Sequence, residues 1–402
     1  MNDSRLYHNT NNKDNNDDGR RWVAGHIASL PKSGIRDFFD LVSTMDEVIS
    51  LGIGEPDFET PWHIREAAIY ALNRGFTSYT SNLGDLRLRK AICNYAEQNF
   101  KVTYDPVREC IVTVGVSEAL DILMRAILNP GDEVLYHEPC YVSYAPTVRM
   151  AHAVPVSVQT FAKDDFRLDV AELEKHVTPR SKVLLLNYPN NPTGAGLTWE
   201  DKQALADFAL RHDLLVVSDE IYEELSYVPR TPCIASIPGM KERTVMLNGM
   251  SKAFAMTGFR LGYACGPHDI IDAMMKVHQY SMLCASSIAQ AAALEALQNC
   301  EEEREEMRVE YEQRRNVIVR SLNDMGLACF MPRGAFYVFP DITSTGMTSM
   351  DFAKSLLREK HVAVVPGTAF GACGEGFVRC SYATSMAEIE EAMRRIAAFI
   401  GK

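Results

Sequence analysis

The sequence predicts an α/β fold: a large three-layer α/β/α domain around a seven-stranded, mainly parallel sheet, with a smaller α+β domain beside it. Three observations carry this. Seven short apolar or β-branched runs follow one another: ECIVTVG, DEVLYHEP, HAVPVSVQ, SKVLLLNYP, DLLVVSDEIY, RTVMLNGMSK and RLGYACG. Amphipathic segments such as SEALDILMRAILN and WEDKQALADFALRH separate several of them, the alternation of βαβ units. Runs such as KVLLL and LLVV are apolar throughout, as strands covered on both faces require.

The flanking elements follow in order. The chain opens on MNDSRLYHNTNNKDNNDDGRR, rich in Asn and Asp, so residues 1–21 are expected to be a disordered tail. The tail lacks the apolar stretch of a secretory signal and is too acidic for a transit peptide. Residues 22–60 are read as the N-terminal part of the small domain, 61–290 as the large domain and 291–402 as the rest of the small one. Helices are expected over HIREAAIYALNRG and LRLRKAICNYAEQNF, joined by the loop SYTSNLGD. The charged run EEEREEMRVEYEQRR reads as a solvated helix face. The last stretch, GAFYVFPDI, SMDFAKSLLREK, VAVVPG and FVRCSYA, mixes strands with helices.

Composition narrows the function. The 402 residues carry a net charge of −12, which argues against nucleic acid or an anionic membrane as a general partner. No apolar run is long enough to span a bilayer. The ten cysteines show no C-x-x-C pair and no regular spacing, the usage of a reduced, cytoplasmic protein with no metal site.

In open α/β sheets, ligands bind beyond the carboxyl ends of the strands, so the residues there are the candidates. Gly115-Val116-Ser117 ends one strand and opens a helix, offering free N–H groups to an anion or simply an N-cap by Ser117. Asn191 lies in NYPNNPTG, which is also an ordinary turn composition. Asp219 follows LLVV directly, and capping the next helix would explain it equally. Lys252 ends TVMLNGMSK inside a mostly apolar stretch, where an ammonium is costly unless exposed, paired or covalently bound. Together the four strand ends present an anion cradle, an amide, a carboxylate and a lysine to one crevice. A desolvated lysine forms a Schiff base with an aldehyde. A helix N-terminus with Arg260 holds a phosphate, and a carboxylate keeps a pyridine nitrogen protonated. Those are the parts of a pyridoxal 5'-phosphate site.

The motifs LGIGEPDFETP, YTSNLGDLRLRKAI, NYPNNPTG, SDEIYEEL, NGMSKAFAMTGFRLGY, GAFYVFP, VVPGTAFG and FVRCSYATS run through nearly the whole folded chain. By them the chain resembles the fold-type I pyridoxal-phosphate enzymes, class I/II aminotransferases, in the subgroup of bacterial and archaeal aspartate and aromatic aminotransferases. The resemblance implies that Lys252 is the Schiff-base lysine and proton shuttle, and that Asp219 faces the ring nitrogen. It implies that Tyr222 and Asn191 bond the ring oxygen, that Tyr141 stacks on the ring, and that Val116, Ser117 and Arg260 hold the phosphate. Arg379 would clamp the substrate α-carboxylate beside the Gly54 N–H. Tyr79 would reach the cofactor of a neighbouring subunit, hence a homodimer. The chemistry implied is ping-pong transamination between an L-amino acid and a 2-oxo acid, with 2-oxoglutarate the expected acceptor. Substrate preference leans to aromatic or broad; aspartate, or carbon–sulfur β-lyase chemistry on the same scaffold, are the alternatives. A regulator of this fold would need a DNA-binding domain, for which the short acidic tail leaves no room. Ile35, Phe38 and Phe39 read equally as an apolar lining of the site or as helix core. Two departures stand out: Arg87 where relatives carry glutamate, expected to be a surface change, and Gly249 where some relatives offer the phosphate a hydroxyl.

Overall fold

The computed structural model describes residues 22–30, 45 and 47–401; the tail 1–21 and Ile35, Phe38 and Phe39 lie outside the described residues. The stretch 22–30 belongs to a unit of its own, with one short helix, Gly25–Ala28. Everything below concerns the unit that runs from Ser33.

The seven apolar runs become strands: β2 (Cys110–Thr113), β3 (Glu133–Glu138), β4 (Val154–Gln159), β5 (Ser181–Asn187), β6 (Leu215–Asp219), β7 (Thr244–Gly249) and β8 (Gly262–Cys265). They form one sheet in the order β2-β8-β7-β6-β5-β3-β4. All neighbours are parallel except β8, which runs antiparallel to both β2 and β7. Central strands β6 and β7 are buried almost residue for residue, which is why their sequences do not alternate. Amphipathic helices cover both faces, among them Gly115–Ile127 and Trp199–Arg211. The latter starts on a capping box between Thr198 and Asp201, which satisfies two N–H groups of its first turn.

The register sets the strand ends level. Asn187 of β5 pairs with Asp219 of β6, and Asp219 pairs with Leu247, two residues before the end of β7. Loops leaving these ends therefore open on the same side.

A second core gathers Ile49 and Leu51 with residues from 307 onward, including Tyr311, Phe336, Tyr337, Phe352 and Ile396. Its strands are short: β1 (Ile49–Ser50) pairs parallel with β10 (Val362–Ala363), while β9 (Tyr337–Val338) and β11 (Val365–Pro366) flank β12 (Val378–Ser381) antiparallel. The helix Glu301–Asp324 departs from the sequence reading of its charged run. One face is solvated, but Met307, Tyr311, Arg314 and Arg315 are buried. Arg314 Nη1 donates to both carboxylate oxygens of Asp57 at 2.8 Å, so this part of the run is an internal ion pair. All ten cysteines are free and eight are buried, as small hydrophobes. Among the described residues no helix is long and apolar enough to cross a membrane.

Candidate active site

Beyond the level strand ends lies a cavity of ≈ 770 Å³. Its wall contains Gly54, Val116, Ser117, Tyr141 and Asn191, and also Asp219, Tyr222, Lys252, Arg260 and Arg379. The structure thus gathers residues from distant parts of the chain into one place. Tyr79 is not in the wall; it stands 81% exposed elsewhere on the surface.

The anion cradle is a matter of missing side chains. The helix Gly115–Ile127 has no side-chain cap at its N-terminus, so its first N–H groups and dipole are open to a ligand. Gly115 has φ +77°, and a Cβ there would lie 2.8 Å from Arg260 Nη2. A Cβ on Gly262 would lie 2.5 Å from the Val116 nitrogen. Both positions need glycine for the helix start to press against β8 and Arg260. Arg260 Nη1 donates to the Thr257 carbonyl at 3.1 Å. Gly249 is equally confined: a Cβ would meet the Leu261 carbonyl at 2.9 Å, so this cradle is closed by backbone where a side chain could have contributed. Arg87 bears out the expected surface change, since it is 71% exposed and pairs with Asp85.

Lys252 lies in the short helix Met250–Ala253 after β7, and its Nζ donates to the Gly54 carbonyl at 2.6 Å. Burial lowers its ammonium from the usual range to about 8; Glu55 opposes the shift, and Arg379 and Arg260 reinforce it. The amine is therefore partly deprotonated near neutral pH.

Asp219 is buried at the end of β6. Its Oδ2 accepts from the Tyr144 hydroxyl at 2.7 Å and its Oδ1 from the Ile221 N–H at 3.2 Å. Burial pushes the carboxyl up to about 6, against the pull of those two hydrogen bonds. Asn187 Nδ2 donates to the Asp219 carbonyl at 3.1 Å, while its Oδ1 accepts from the Asn191 N–H at 3.2 Å, which ties the two loops together.

Arg379 on β12 is 5% exposed. Nη1 donates to Asn191 Oδ1 at 3.0 Å and Nη2 to the Gly52 carbonyl at 2.6 Å. Its guanidinium carbon sits 4.5 Å from the Tyr337 ring centre and 4.9 Å from that of Phe370. Nε is buried without a hydrogen bond. Tyr222 and Tyr337 share a hydrogen bond between hydroxyls, 3.0 Å.

Two residues of the site escaped the sequence reading. Tyr144 holds Asp219, and Tyr337 carries Arg379 on its face while its hydroxyl abuts Gly54. Tyr144 lies three residues after Tyr141 and Tyr337 inside the motif GAFYVFP, but a buried tyrosine is ordinarily core. Tyr141 packs edge-on against Tyr144, with ring centres 5.7 Å apart.

A family model described as aminotransferase class I and II matches residues 46–396. The chain is 48% identical to an aspartate aminotransferase of Pyrococcus abyssi, over 90% of this chain and 94% of that one. It is 46% identical to aromatic-amino-acid aminotransferase 2 of Thermococcus litoralis, over 93% and 97%. Among solved structures it is similar to the aromatic aminotransferase of Pyrococcus horikoshii, with TM-score 0.87 and 46% identity over 90% of this chain and 98% of that one.

Proposed function

This chain belongs to the class I and II aminotransferases, a family dependent on pyridoxal 5'-phosphate, and from that premise we propose an L-amino acid aminotransferase that prefers apolar or aromatic side chains. The residues fit the cofactor. An uncapped helix start beside Arg260 suits a phosphate, a lysine whose ammonium is weakened by burial suits an aldehyde, and a buried carboxylate without a cation suits a pyridinium. When bound, the cofactor supplies an aldehyde that condenses with amines and a cationic ring that withdraws electrons from the substrate Cα.

The chain's own residues do the rest. Arg379, fixed by Asn191, Gly52 and two ring faces, turns its fork to the α-carboxylate and orients the Cα–H bond. Lys252, its amine lowered by burial, would take the proton from the substrate Cα as general base. Asp219, positioned by Tyr144, would hold a proton on the ring nitrogen. Tyr222 and Asn191 would bond the ring oxygen and Tyr141 would cover the ring, three residues that line the same cavity. Transfer runs in two halves, with ping-pong kinetics.

One observation carries the substrate preference. Among the described residues the cavity wall holds three cations, Lys252, Arg260 and Arg379, and each already has a task. No fourth is left for a distal carboxylate, and Asp121 lines the wall with Ile53, Leu120 and Met150. The same reasoning bears on the acceptor. A cation from outside the described residues or from a second chain would pair the second carboxylate of 2-oxoglutarate, the expected acceptor, and the side chain of aspartate alike, so the preference rests on the wall that the described residues of one chain form. A homodimer would supply such a second chain: Tyr79 is exposed and outside the cavity, in keeping with service to a neighbouring subunit, and Tyr70, Phe76, Tyr280 and Met282 are exposed as well.

The test is a half-reaction with single amino acids, followed by loss of the cofactor's aldehyde absorbance. Phenylalanine and tyrosine are expected to exceed aspartate in kcat/KM by at least about tenfold, the cost of a distal carboxylate left without a cation in a wall that holds Asp121. Faster aspartate would overturn the preference.

A further inference from the structure

The first turn of the helix Trp62–Asn73 meets the junction between the helices Ser287–Asn299 and Glu301–Asp324. His63, Glu295, Cys300 and Glu303 converge there. A ring nitrogen of His63, the Cys300 sulfur and a Glu303 carboxylate oxygen all lie within 4.8 Å of one another. None of the four lines the catalytic cavity.

The electrostatics of this cluster are incomplete. His63 Nδ1 stands 2.9 Å from Glu295 Oε1, and Nε2 stands 3.3 Å from Glu303 Oε1. If Nδ1 donates its hydrogen to Glu295, Nε2 presents a lone pair, and that lone pair faces a carboxylate oxygen. Nε2 is buried and makes no hydrogen bond. Two electron-rich atoms at that separation need positive charge between them.

We propose that the cluster is a zinc site, with His63 Nε2, the Cys300 thiolate and a Glu303 oxygen as ligands and water in the fourth position. Tetrahedral zinc with ordinary bond lengths sets its N, O and S ligands about 3.3–3.6 Å apart. The Nε2–Oε1 gap already matches at 3.3 Å, and the sulfur lies within 4.8 Å of both atoms. Thiolate and imidazole together select zinc over magnesium or calcium. Glu295 stands where zinc-binding histidines usually find a carboxylate, on the ring nitrogen turned away from the metal, fixing the tautomer. On binding, the thiol S–H bond breaks, its proton leaves to water and a sulfur–zinc bond forms, with no change of oxidation state. Cys300 is 2% exposed, while the side chains of His63 and Glu303 keep 28% and 41%, so the ion can enter from solvent. The site ties three helices together. His63 lies far in the sequence from Cys300 and Glu303, which is why spacing shows nothing.

The test uses the full-length, cofactor-loaded protein, stripped with a chelator and then given Zn²⁺ or Co²⁺ alone. Expected are one equivalent of zinc retained per chain after desalting, a rise in Tm, and visible cobalt bands of a tetrahedral site with a thiolate ligand. C300S and H63A are expected to lose all three with transamination unchanged, and E295Q to bind about 10–100-fold more weakly. Wild-type protein that retains no zinc, or zinc retained equally by C300S and H63A, overturns the site. If C300S does not fold, the wild-type cobalt spectrum and H63A decide.

Discussion

Arg314 and Arg379 are both buried, and the chain treats them in opposite ways. Arg314 is closed: Asp57 takes Nη1 with both oxygens at 2.8 Å, Glu310 takes Nε at 3.0 Å, and Phe58 and Tyr311 lie against the guanidinium. Arg379 is open. It meets an amide, a carbonyl and two ring faces, and among the described residues it forms no ion pair. Asp219 in the same cavity is open too, facing a phenol and a backbone N–H, whereas Asp57 is closed on Arg314. Burying a charge costs several kcal/mol unless a partner offsets it. Where this chain closes its ions they hold structure; where it leaves a cation and an anion open in one cavity, the partner is a ligand. Lys252, also without an acid within bonding distance among the described residues, belongs with the open set.

The largest test of that contrast is Arg379→Lys. On the clamp reading it removes the forked contact to the α-carboxylate. We expect kcat/KM to fall by about 10²–10³ for every amino acid, about 3–4 kcal/mol, with the loss mainly in KM. Stability should hold, because no protein charge loses its partner. A fall in Tm with activity per folded molecule preserved would make Arg379 structural and erase the contrast.

Asp219 gives the next effect, of about 3 kcal/mol, and its sign is specific. Folded, the carboxyl titrates at about 6; unfolded, near 3.8. The folded state therefore binds this proton more tightly, so the group favours folding fully below about pH 4 and loses that contribution as pH rises through 6. Denaturant melts of cofactor-free protein at pH 4 to 7, wild type minus D219N, isolate the term. A difference that is flat, or that grows with pH, would mean the carboxylate is compensated after all.

The same contrast explains what could be read from the sequence. The strands were legible because continuous apolar runs such as KVLLL and LLVV end abruptly in polar residues, and Asp219 and Lys252 were legible for the same reason: each interrupts an apolar stretch. The antiparallel course of β8 was not, since its run looks like its parallel neighbours. Nor was the burial of Arg314 and Arg315: charges three and four apart look alike whether they face water or a distant acid. Tyr144 and Tyr337 passed as core because their roles depend on one hydroxyl and one ring face. The Gly52 carbonyl that fixes Arg379 was invisible, because every residue carries one.

The closed pair gives the smallest and most discriminating prediction. Asp57 keeps 28% and Glu310 36% of their side chains exposed, so solvent screens what Arg314→Met leaves behind. The single change is expected to cost about 1–3 kcal/mol, below the value for a fully buried broken pair. D57N with R314M should recover part of that, since it removes the less exposed of the two charges left without a partner and leaves only Glu310, at 36% exposure, unpaired. Denaturant melts of the single and double variants measure the recovery. Transamination by the folded fraction should stay near that of the natural chain in both, although Asp57 lies only three residues from Gly54, whose carbonyl receives Lys252. A double variant no more stable than the single one would show that Arg314 contributes by packing its stem and stacking on rings. Loss of activity in step with stability would mean the closed ions also position the lysine, and the two sets of charges would then be one network.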